Sequence, residues 1–137
     1  SADQVLSKIS PNVSVWAVEP DQNSLGEYLA SLASLTTTLP YDVMVLPGHG
    51  VPFYGLKTRI KQLADHHEDR CRLIAEACRE VPQTSKELVP VVFHKHVLDE
   101  HQMGFAAGEL VAHVNYMLVE GRLTCEVTDG ILRFRTT

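Results

Sequence analysis

The chain has 137 residues, of which 45% are hydrophobic and 21% are charged, and its formal net charge is −5. This length suits one domain or two very small ones, and the apolar fraction is too high for a disordered chain. The negative charge argues against a general polyanion binder, and no apolar run is long enough to span a membrane. The three cysteines form no Cys-x-x-Cys pair, which predicts a reducing, cytoplasmic compartment and neither a disulfide framework nor a cysteine zinc site.

The first predicted elements are a helix and a short strand. Residues 13–18 alternate only weakly, whereas Ser24 has the position of a helix N-cap, with Glu27 at the capping-box spacing. Apolar residues at three- and four-residue steps from Leu25 to Leu35 predict one buried helix face. The β-branched apolar run Val43 to Leu46 then predicts a buried strand.

A sharp loop, Pro47-Gly48-His49-Gly50, follows that predicted strand directly. Glycine allows backbone conformations that other residues resist, so the loop can aim the imidazole of His49 from a fixed position. Ligand sites of α/β sheets lie at the carboxyl ends of strands, and a neutral imidazole suits Zn²⁺. On spacing alone the alternatives are a metal ligand and an ordinary exposed turn histidine.

Two helices are predicted next. The apolar period from Lys57 to Glu80 predicts a long helix, which Pro82 ends. Thr84 has the position of the next N-cap, and Glu87 again stands at the capping-box spacing. The buried side of this second helix is expected to consist of Leu88, Val91 and Val92.

The carboxyl-terminal part predicts a further helix and a hairpin. The helix should run from Asp99 to Val119 with Gly121 as its C-cap. Asp129-Gly130 lies between the apolar runs Leu123 to Val127 and Ile131 to Arg135, which is a strong signal for a hairpin turn. The inward residues of the helix are expected to be Met103, Ala106, Ala107, Leu110, Val111, Val114 and Leu118.

The order of elements changes near residue 56. Before it, a helix, a strand and a glycine loop follow one another, and after it come three helices and a β-hairpin, which is the order of a winged-helix domain. The sequence therefore predicts an α+β fold with two domains, residues 1–56 and 57–137. The boundary is expected between Tyr54 and Lys57.

Several motifs together resemble a known family. Val45-Leu46-Pro47-Gly48-His49-Gly50 resembles the PGHG loop of metallo-β-lactamase-fold hydrolases, the class that includes glyoxalase-II-like thioesterases. Upstream, Ala2 to Leu6 and Ile9 to Val13 resemble the segment that carries the family's metal-bridging aspartate. Downstream, His66 to Arg70 and Gly108 to His113 resemble the C-terminal extension of the branch that includes the lactamase-β-like endoribonuclease, which is winged-helix-like. The resemblance covers essentially the whole chain.

The resemblance implies a binuclear site. Asp3 would bridge two Zn²⁺ ions in the intact hydrolase, and His49 would be an imidazole ligand of the second ion. The implied reaction is hydrolysis of a thioester, ester, amide or phosphodiester by metal-bound hydroxide, on a small-molecule ester or thioester or on RNA. The residues that bind the substrate are not indicated.

One family motif is absent. The sequence contains no His-x-His-x-Asp-His cluster, so residues 1–56 are interpreted as the C-terminal remnant of the hydrolase domain. The expected partner is the missing amino-terminal half. We expect the fragment alone to be inactive, to bind zinc weakly or not at all, and to self-associate through its unpaired strand and apolar surface.

Two alternatives remain open. The chain could be a nucleic-acid-binding winged helix, or residues 57–137 could be a purely architectural cap of the hydrolase domain. The predicted helix from Asp99 to Glu120 contains no Lys or Arg, which is unfavourable for the major groove. Basic residues that could contact nucleic acid lie elsewhere and are Lys57, Arg59, Lys61, Arg122, Arg133 and Arg135.

The other histidines have ordinary interpretations. His66 and His67 are expected to be packing or surface residues of the long helix. Glu109 and His113 stand four residues apart, so we expect an ion pair or hydrogen bond within one helix.

Overall fold

The computed structural model describes residues 13, 21–40, 43–47, 50–94 and 98–137. These residues form four helices and a two-stranded antiparallel hairpin, which agrees with the predicted mixture of helices and strands. No helix in the described ranges is long and apolar enough to cross a membrane. In chain order the elements are α1 (Ser24–Thr38), α2 (Leu56–Ala77), α3 (Ser85–Val92), α4 (Glu100–Val119), β1 (Leu123–Thr128) and β2 (Ile131–Thr136).

Helix α1 begins one residue after its cap, and that cap is Asn23. The side chain of Asn23 accepts a hydrogen bond of 3.1 Å from the backbone N–H of Gly26. The prediction of Ser24 as N-cap was therefore wrong by one residue, because the Asn23 carboxamide already satisfies the free N–H of the first turn. Leu25 and Leu32 are fully buried, as the apolar period predicts.

The predicted strand at Val43 to Leu46 is not formed as a strand. Only Val45 pairs, through an isolated antiparallel bridge with Phe53 whose two hydrogen bonds measure 2.7 and 3.1 Å. Val45 is buried, whereas Met44 and Leu46 are 50% and 61% exposed. Alternate side chains of an extended segment point to opposite sides, so this segment covers the core with one side only.

Helix α2 confirms the long apolar period with shifted ends. It follows Gly55, which has a φ of 84°, and it ends at Ala77, before the predicted Glu80. Cys78 to Glu80 form a turn ahead of Pro82. The buried residues of α2 are Leu56, Ile60, Leu63, His67, Cys71 and Ile74.

Both carboxyl-terminal helices begin at a capping box. In α3 the box is Thr84 with Glu87, as predicted, and in α4 it is Asp99 with Gln102. Val91 of α3 is only half-buried, and Val89 takes the expected place in the core. The buried residues of α3 are Leu88 and the residues one and four positions after it, Val89 and Val92, so the buried stripe excludes Val91.

Helix α4 buries a different set from the one predicted at its two ends. Ala106, Leu110 and Val114 are buried as expected, but Met103 is 44% exposed because it lies in the first turns, at the margin of the core. Gly121, with a φ of 72°, follows the C-cap Glu120 and ends the helix in the left-handed conformation. Half-buried residues of the predicted face are Ala107, Val111 and Leu118, and additional buried residues are Ala112, His113 and Met117.

The hairpin forms as predicted and is joined to the helices. Asp129 and Gly130 both have a positive φ, 54° and 75°, as a type I′ turn requires. Phe134 of β2 forms a bridge with Gln83, the residue before the α3 cap, through hydrogen bonds of 2.8 and 2.9 Å. The hairpin is thereby held against the start of α3.

The buried residues form two clusters. The main cluster joins Val13 and Leu25 to α2, α3, α4 and the hairpin. The smaller one contains residues from both sides of the predicted boundary between Tyr54 and Lys57, and that boundary stays a prediction. The residues of the smaller cluster are Leu32, Val45, Leu56, Ile60 and Leu63.

Candidate functional site

The two predicted metal ligands, Asp3 and His49, lie outside the described residues. Their roles therefore stay predictions. The structure does describe the base of the glycine loop, which the Val45–Phe53 bridge closes. Gly50, the residue after His49, has a φ of 87°, a conformation that suits glycine. Within the described ranges no three His, Cys, Asp or Glu side chains are grouped closely enough to hold a metal ion.

The structure brings together a cluster of polar residues between α2 and α4. It consists of His67 and Arg70 of α2 and Glu109 and His113 of α4, and we call it the buried polar cluster. His67 and His113 are completely buried, while neighbouring His66 is exposed. The sequence interpretation of His66 and His67 as surface and packing residues agrees with these positions, but their cross-helix partners were not foreseen.

The hydrogen bonds of the cluster define the protonation of both buried rings. His113 Nδ1 lies 2.7 Å from the backbone carbonyl oxygen of Glu109, so Nδ1 must carry the proton and donate it. Nε2 of a neutral His113 is then an acceptor, and it lies 3.0 Å from His67 Nδ1. His67 therefore also carries its proton on Nδ1 and donates to His113.

Burial keeps both rings neutral at pH 7. The pKa of His67 is lowered to about 3, mainly by burial and in part by the nearby positive charge that a protonated His113 would carry. Burial also lowers the pKa of His113 to about 4, against the opposing effect of its bond to the Glu109 carbonyl. The pair is thus a fixed contact between neutral groups and not a general base poised near neutral pH.

Glu109 and Arg70 form an ion pair across the two helices. Arg70 Nη1 lies 2.8 Å from Glu109 Oε2, and the two side chains are only 15% and 14% exposed. The contact expected between Glu109 and His113 within one helix is a hydrogen bond, and it involves the backbone carbonyl of Glu109 and not its carboxylate. The imidazole reaches this carbonyl because a side chain four residues later on a helix lies close to it.

Two of the candidate nucleic-acid contacts are engaged by carboxylates. Lys61 Nζ lies 2.6 Å from Asp65 within α2, and both side chains are exposed. Arg122 binds Glu68 through two hydrogen bonds of 2.7 and 3.1 Å. The two carboxylates neutralise part of the positive charge that would attract a phosphate backbone to this surface.

Arg133 and Arg135 are the candidates that the structure places side by side. They alternate on β2, so both project from the same face of the hairpin, opposite Glu126 and Thr124 of β1. Lys57 and Arg59 lie apart from them in sequence, in the first turns of α2, and each has an interaction of its own. Contact of any of these residues with nucleic acid stays a prediction.

Two openings in the surface were not foreseen. A groove of about 740 Å³ runs between α3 and α4, with Val89, Phe93 and Val111 among its apolar lining. A second cavity, of about 540 Å³, lies where α1, α2 and α4 meet, and His67 and Tyr116 are part of its wall. Helix crossings create both openings, and residue spacing along one chain does not specify which crossing angles form.

Comparisons with known proteins found similarity to a metallo-beta-lactamase-like domain and to two solved structures. Residues 71–137 match the model of the metallo-beta-lactamase-like C-terminal domain. The whole chain is similar to a beta-lactamase domain protein from Burkholderia ambifaria, with 44% identity and a TM-score of 0.94. It is also similar, over 99% of its length, to a metallo-beta-lactamase family protein from Thermus thermophilus, with 27% identity and a TM-score of 0.79. The chain covers 40% of each of these two proteins. No curated protein matches it.

Proposed function

Since residues 71–137 match a metallo-beta-lactamase-like C-terminal domain, we propose that this chain is the carboxyl-terminal portion of a binuclear metal-dependent hydrolase. The main support for this proposal is the similarity of the entire chain, at 44% identity, to a beta-lactamase domain protein of which it spans 40%. The reaction class is hydrolysis of a thioester, ester, amide or phosphodiester. We place the parent in the glyoxalase-II-like and lactamase-β-like branch because of the motifs at both ends of the chain.

The proposed metal ligands in this chain are Asp3 and His49. Their chemistry fits Zn²⁺, since a carboxylate offers two oxygens and a neutral imidazole one nitrogen. A bound zinc pair supplies Lewis-acid polarisation of the scissile group and activation of water at neutral pH. The remaining ligands are proposed to come from the amino-terminal half, because the described residues contain no group of three suitable side chains.

The chain's own contribution to the site is to hold the glycine loop. The Val45–Phe53 bridge joins the residues on either side of the sequence segment that contains His49. Met44 and Leu46 are exposed on either side of Val45. An extended segment with exposed apolar side chains in this position suits pairing with strands of the missing half.

Residues 57–137 have an architectural role in this proposal. The sequence of α2, α3, α4 and the hairpin supports a winged-helix-like extension, and its buried residues are continuous with those of α1. A nucleic-acid module is less well supported. Helix α4 has no Lys or Arg, and Lys61 and Arg122 are paired with carboxylates.

The test compares hydrolysis by three proteins supplied with Zn²⁺. They are the 137-residue chain, the longer protein that contains it, and the longer protein carrying His49→Ala. We expect no turnover by the chain, turnover by the longer protein, and loss of most activity in His49→Ala. The matched control is His66→Ala, which removes an exposed histidine of α2 and should leave turnover unchanged.

Two results would contradict the proposal. Turnover by the 137-residue chain at the rate of the longer protein would show that the chain is not an incomplete hydrolase. Full activity in His49→Ala would show that the glycine loop does not supply a metal ligand.

A further inference from the structure

We propose that Glu109 and Arg70 act as a clamp through which α4 positions the segment preceding α1, by way of the backbone N–H of Val13. The hydrogen bond between Val13 and Glu109 does not depend on the proposed hydrolase function. Its consequence for Asp3, which lies upstream of Val13 in the same segment, rests on the proposed hydrolase function. In this role Glu109 is a positioning residue, because it is proposed to act through the backbone of Val13.

Both oxygens of the Glu109 carboxylate are used, each by a different part of the chain. Oε2 accepts from Arg70 Nη1 of α2 at 2.8 Å. Oε1 accepts from the backbone N–H of Val13 at 3.3 Å, across 96 positions in sequence. Val13 is 6% exposed and belongs to the main hydrophobic cluster, so the carboxylate meets this segment where it enters the core.

Arg70 is held in place by a second contact besides the one with Glu109. Its guanidinium carbon lies 4.8 Å from the centroid of the Phe93 ring, at the end of α3. A cation over an aromatic face is attracted by the ring, and the contact reduces the freedom of the long side chain. The carboxylate of Glu109 is thereby oriented by α2 and α3 together, which leaves Oε1 directed to one backbone N–H.

The burial of this pair favours positioning over simple attachment of helices. Among the ion pairs between described residues, it alone has both side chains less than one fifth exposed. Desolvating two charges is costly, and apolar side chains could join α2 and α4 without that cost. A carboxylate is useful here because it accepts a directional hydrogen bond from a backbone N–H. Val13 has no polar side chain through which α4 could hold it.

A second contact from α4 reaches the same segment. Asn115 Nδ2 donates to the backbone carbonyl of Gln22 at 3.1 Å. Glu109 and Asn115 thus hold residues 13 and 22, at the two ends of the stretch before α1. In the proposed hydrolase, we expect these two contacts to influence the position of Asp3, which lies ten residues before Val13 in the sequence.

The direct test measures hydrogen exchange of the Val13 amide in the 137-residue chain. Glu109→Ala should reduce its protection about tenfold more than that of Leu110, a core amide of α4. Glu109→Gln should restore most of the protection, because its amide oxygen can accept the same bond. Asp65→Ala, which removes the exposed ion pair with Lys61, should leave Val13 unchanged.

A second variant controls for the possibility that Glu109→Ala destabilises the whole protein. Arg70→Lys retains the positive charge but loses the planar fork that meets Glu109 and lies over Phe93. It should produce a smaller loss at Val13 than Glu109→Ala. Equal exchange at Val13 in Glu109→Ala and the unaltered chain would overturn the proposal. Equal losses in Glu109→Ala and Glu109→Gln would overturn it as well, because the bond to Val13 would then not be what Glu109 contributes.

The same variants in the longer protein separate the clamp from the hydrolase function. We expect Glu109→Ala to weaken binding of Zn²⁺ alone, measured by equilibrium dialysis, and Glu109→Gln to recover it. If the longer protein neither binds Zn²⁺ nor hydrolyses substrate, the proposed function fails. The hydrogen exchange of the Val13 amide still shows whether Glu109 holds Val13 in that case. If exchange at Val13 changes while Zn²⁺ affinity does not, the proposed link to Asp3 is wrong.

Discussion

The buried histidines make the protein sensitive to mild acid. His67 and His113 are bonded as neutral rings, and their pKa values are lowered to about 3 and about 4. In the unfolded chain both would titrate near their ordinary value of about 6.5. The unfolded state therefore binds more protons between these values. The stabilisation is complete above roughly pH 6.5 and is lost as the pH falls toward the folded pKa values.

Acidification from pH 6.5 to pH 5 should lower the free energy of unfolding by up to about 1 kcal/mol per pH unit for each buried histidine. Urea unfolding at pH 7, 6 and 5 measures this slope. His113→Gln should reduce the slope, since one of the two titrating groups is gone. His101→Gln, at an exposed position, should not. Identical slopes in His113→Gln and the unaltered chain would show that His113 does not titrate as described.

The histidine contact also shows the limit of sequence reasoning at single residues. The spacing of Glu109 and His113 correctly predicts contact within one helix turn, but it cannot decide between the carboxylate and the carbonyl of Glu109. The partnership of His67 with His113 depends on how α2 crosses α4. That crossing is a property of the packed molecule, and no periodicity in either helix reveals it.

At the scale of elements, the most predictable features are those with local chemical causes. The capping box of α3 and the turn at Asp129-Gly130 form as predicted, since their residues bond to or fold their immediate neighbours. The run Val43 to Leu46 is different. Whether it pairs as a strand depends on neighbouring strands, and the described residues offer it only Phe53.

Removal of the α3 cap should destabilise the protein measurably. Thr84 accepts a hydrogen bond of 3.2 Å from the backbone N–H of Glu87, and Glu87 bonds back to the N–H of Thr84 at 2.9 Å. Thr84→Ala removes the first bond and should cost about 1 kcal/mol in urea unfolding. Thr58→Ala, within α2 and exposed, is the control and should be neutral or slightly stabilising. An unchanged midpoint in Thr84→Ala would contradict the importance of the cap.

Two glycines should respond in opposite directions to the same substitution. Gly130 has a φ of 75° with open space around it, so Gly130→Ala should cost about 1 kcal/mol through backbone strain alone. Gly104 lies within α4, also in open space and without a positive φ. Gly104→Ala should therefore stabilise the protein by up to about 1 kcal/mol. Thermal denaturation of both variants checks the prediction, and midpoints that shift in the same direction would refute it.

At the scale of the whole molecule, the sequence predicted more about resemblance to a family than about how the elements pack together. The glycine loop and the flanking motifs indicated a metallo-β-lactamase-like protein, and the match of residues 71–137 supports the C-terminal part of that identification. The main hydrophobic cluster, which joins Leu25 of α1 to the later helices, was not predicted. A change in element order marks a possible boundary along the chain, but it does not show which faces pack together.

The 137-residue chain should self-associate through the region beside the glycine loop. Met44 and Leu46 are exposed apolar residues on both sides of the single bridge at Val45. Leu46→Lys should shift light scattering toward the monomer, because a charge there opposes burial in an interface. Val127→Lys, on the exposed end of the hairpin, should leave association unchanged. A stronger effect of Val127→Lys than of Leu46→Lys would locate the contact on the hairpin instead.

The bond between Val13 and Glu109 has a consequence for the order of events during synthesis. Residue 13 is synthesised 96 residues before Glu109, whose side chain binds it. At ordinary translation rates this delay lasts roughly 5 to 20 s. The backbone around Val13 must therefore wait for α4 to be made before it can form this hydrogen bond. Any chaperone that shields the nascent chain has to protect this part of it until α4 has been translated.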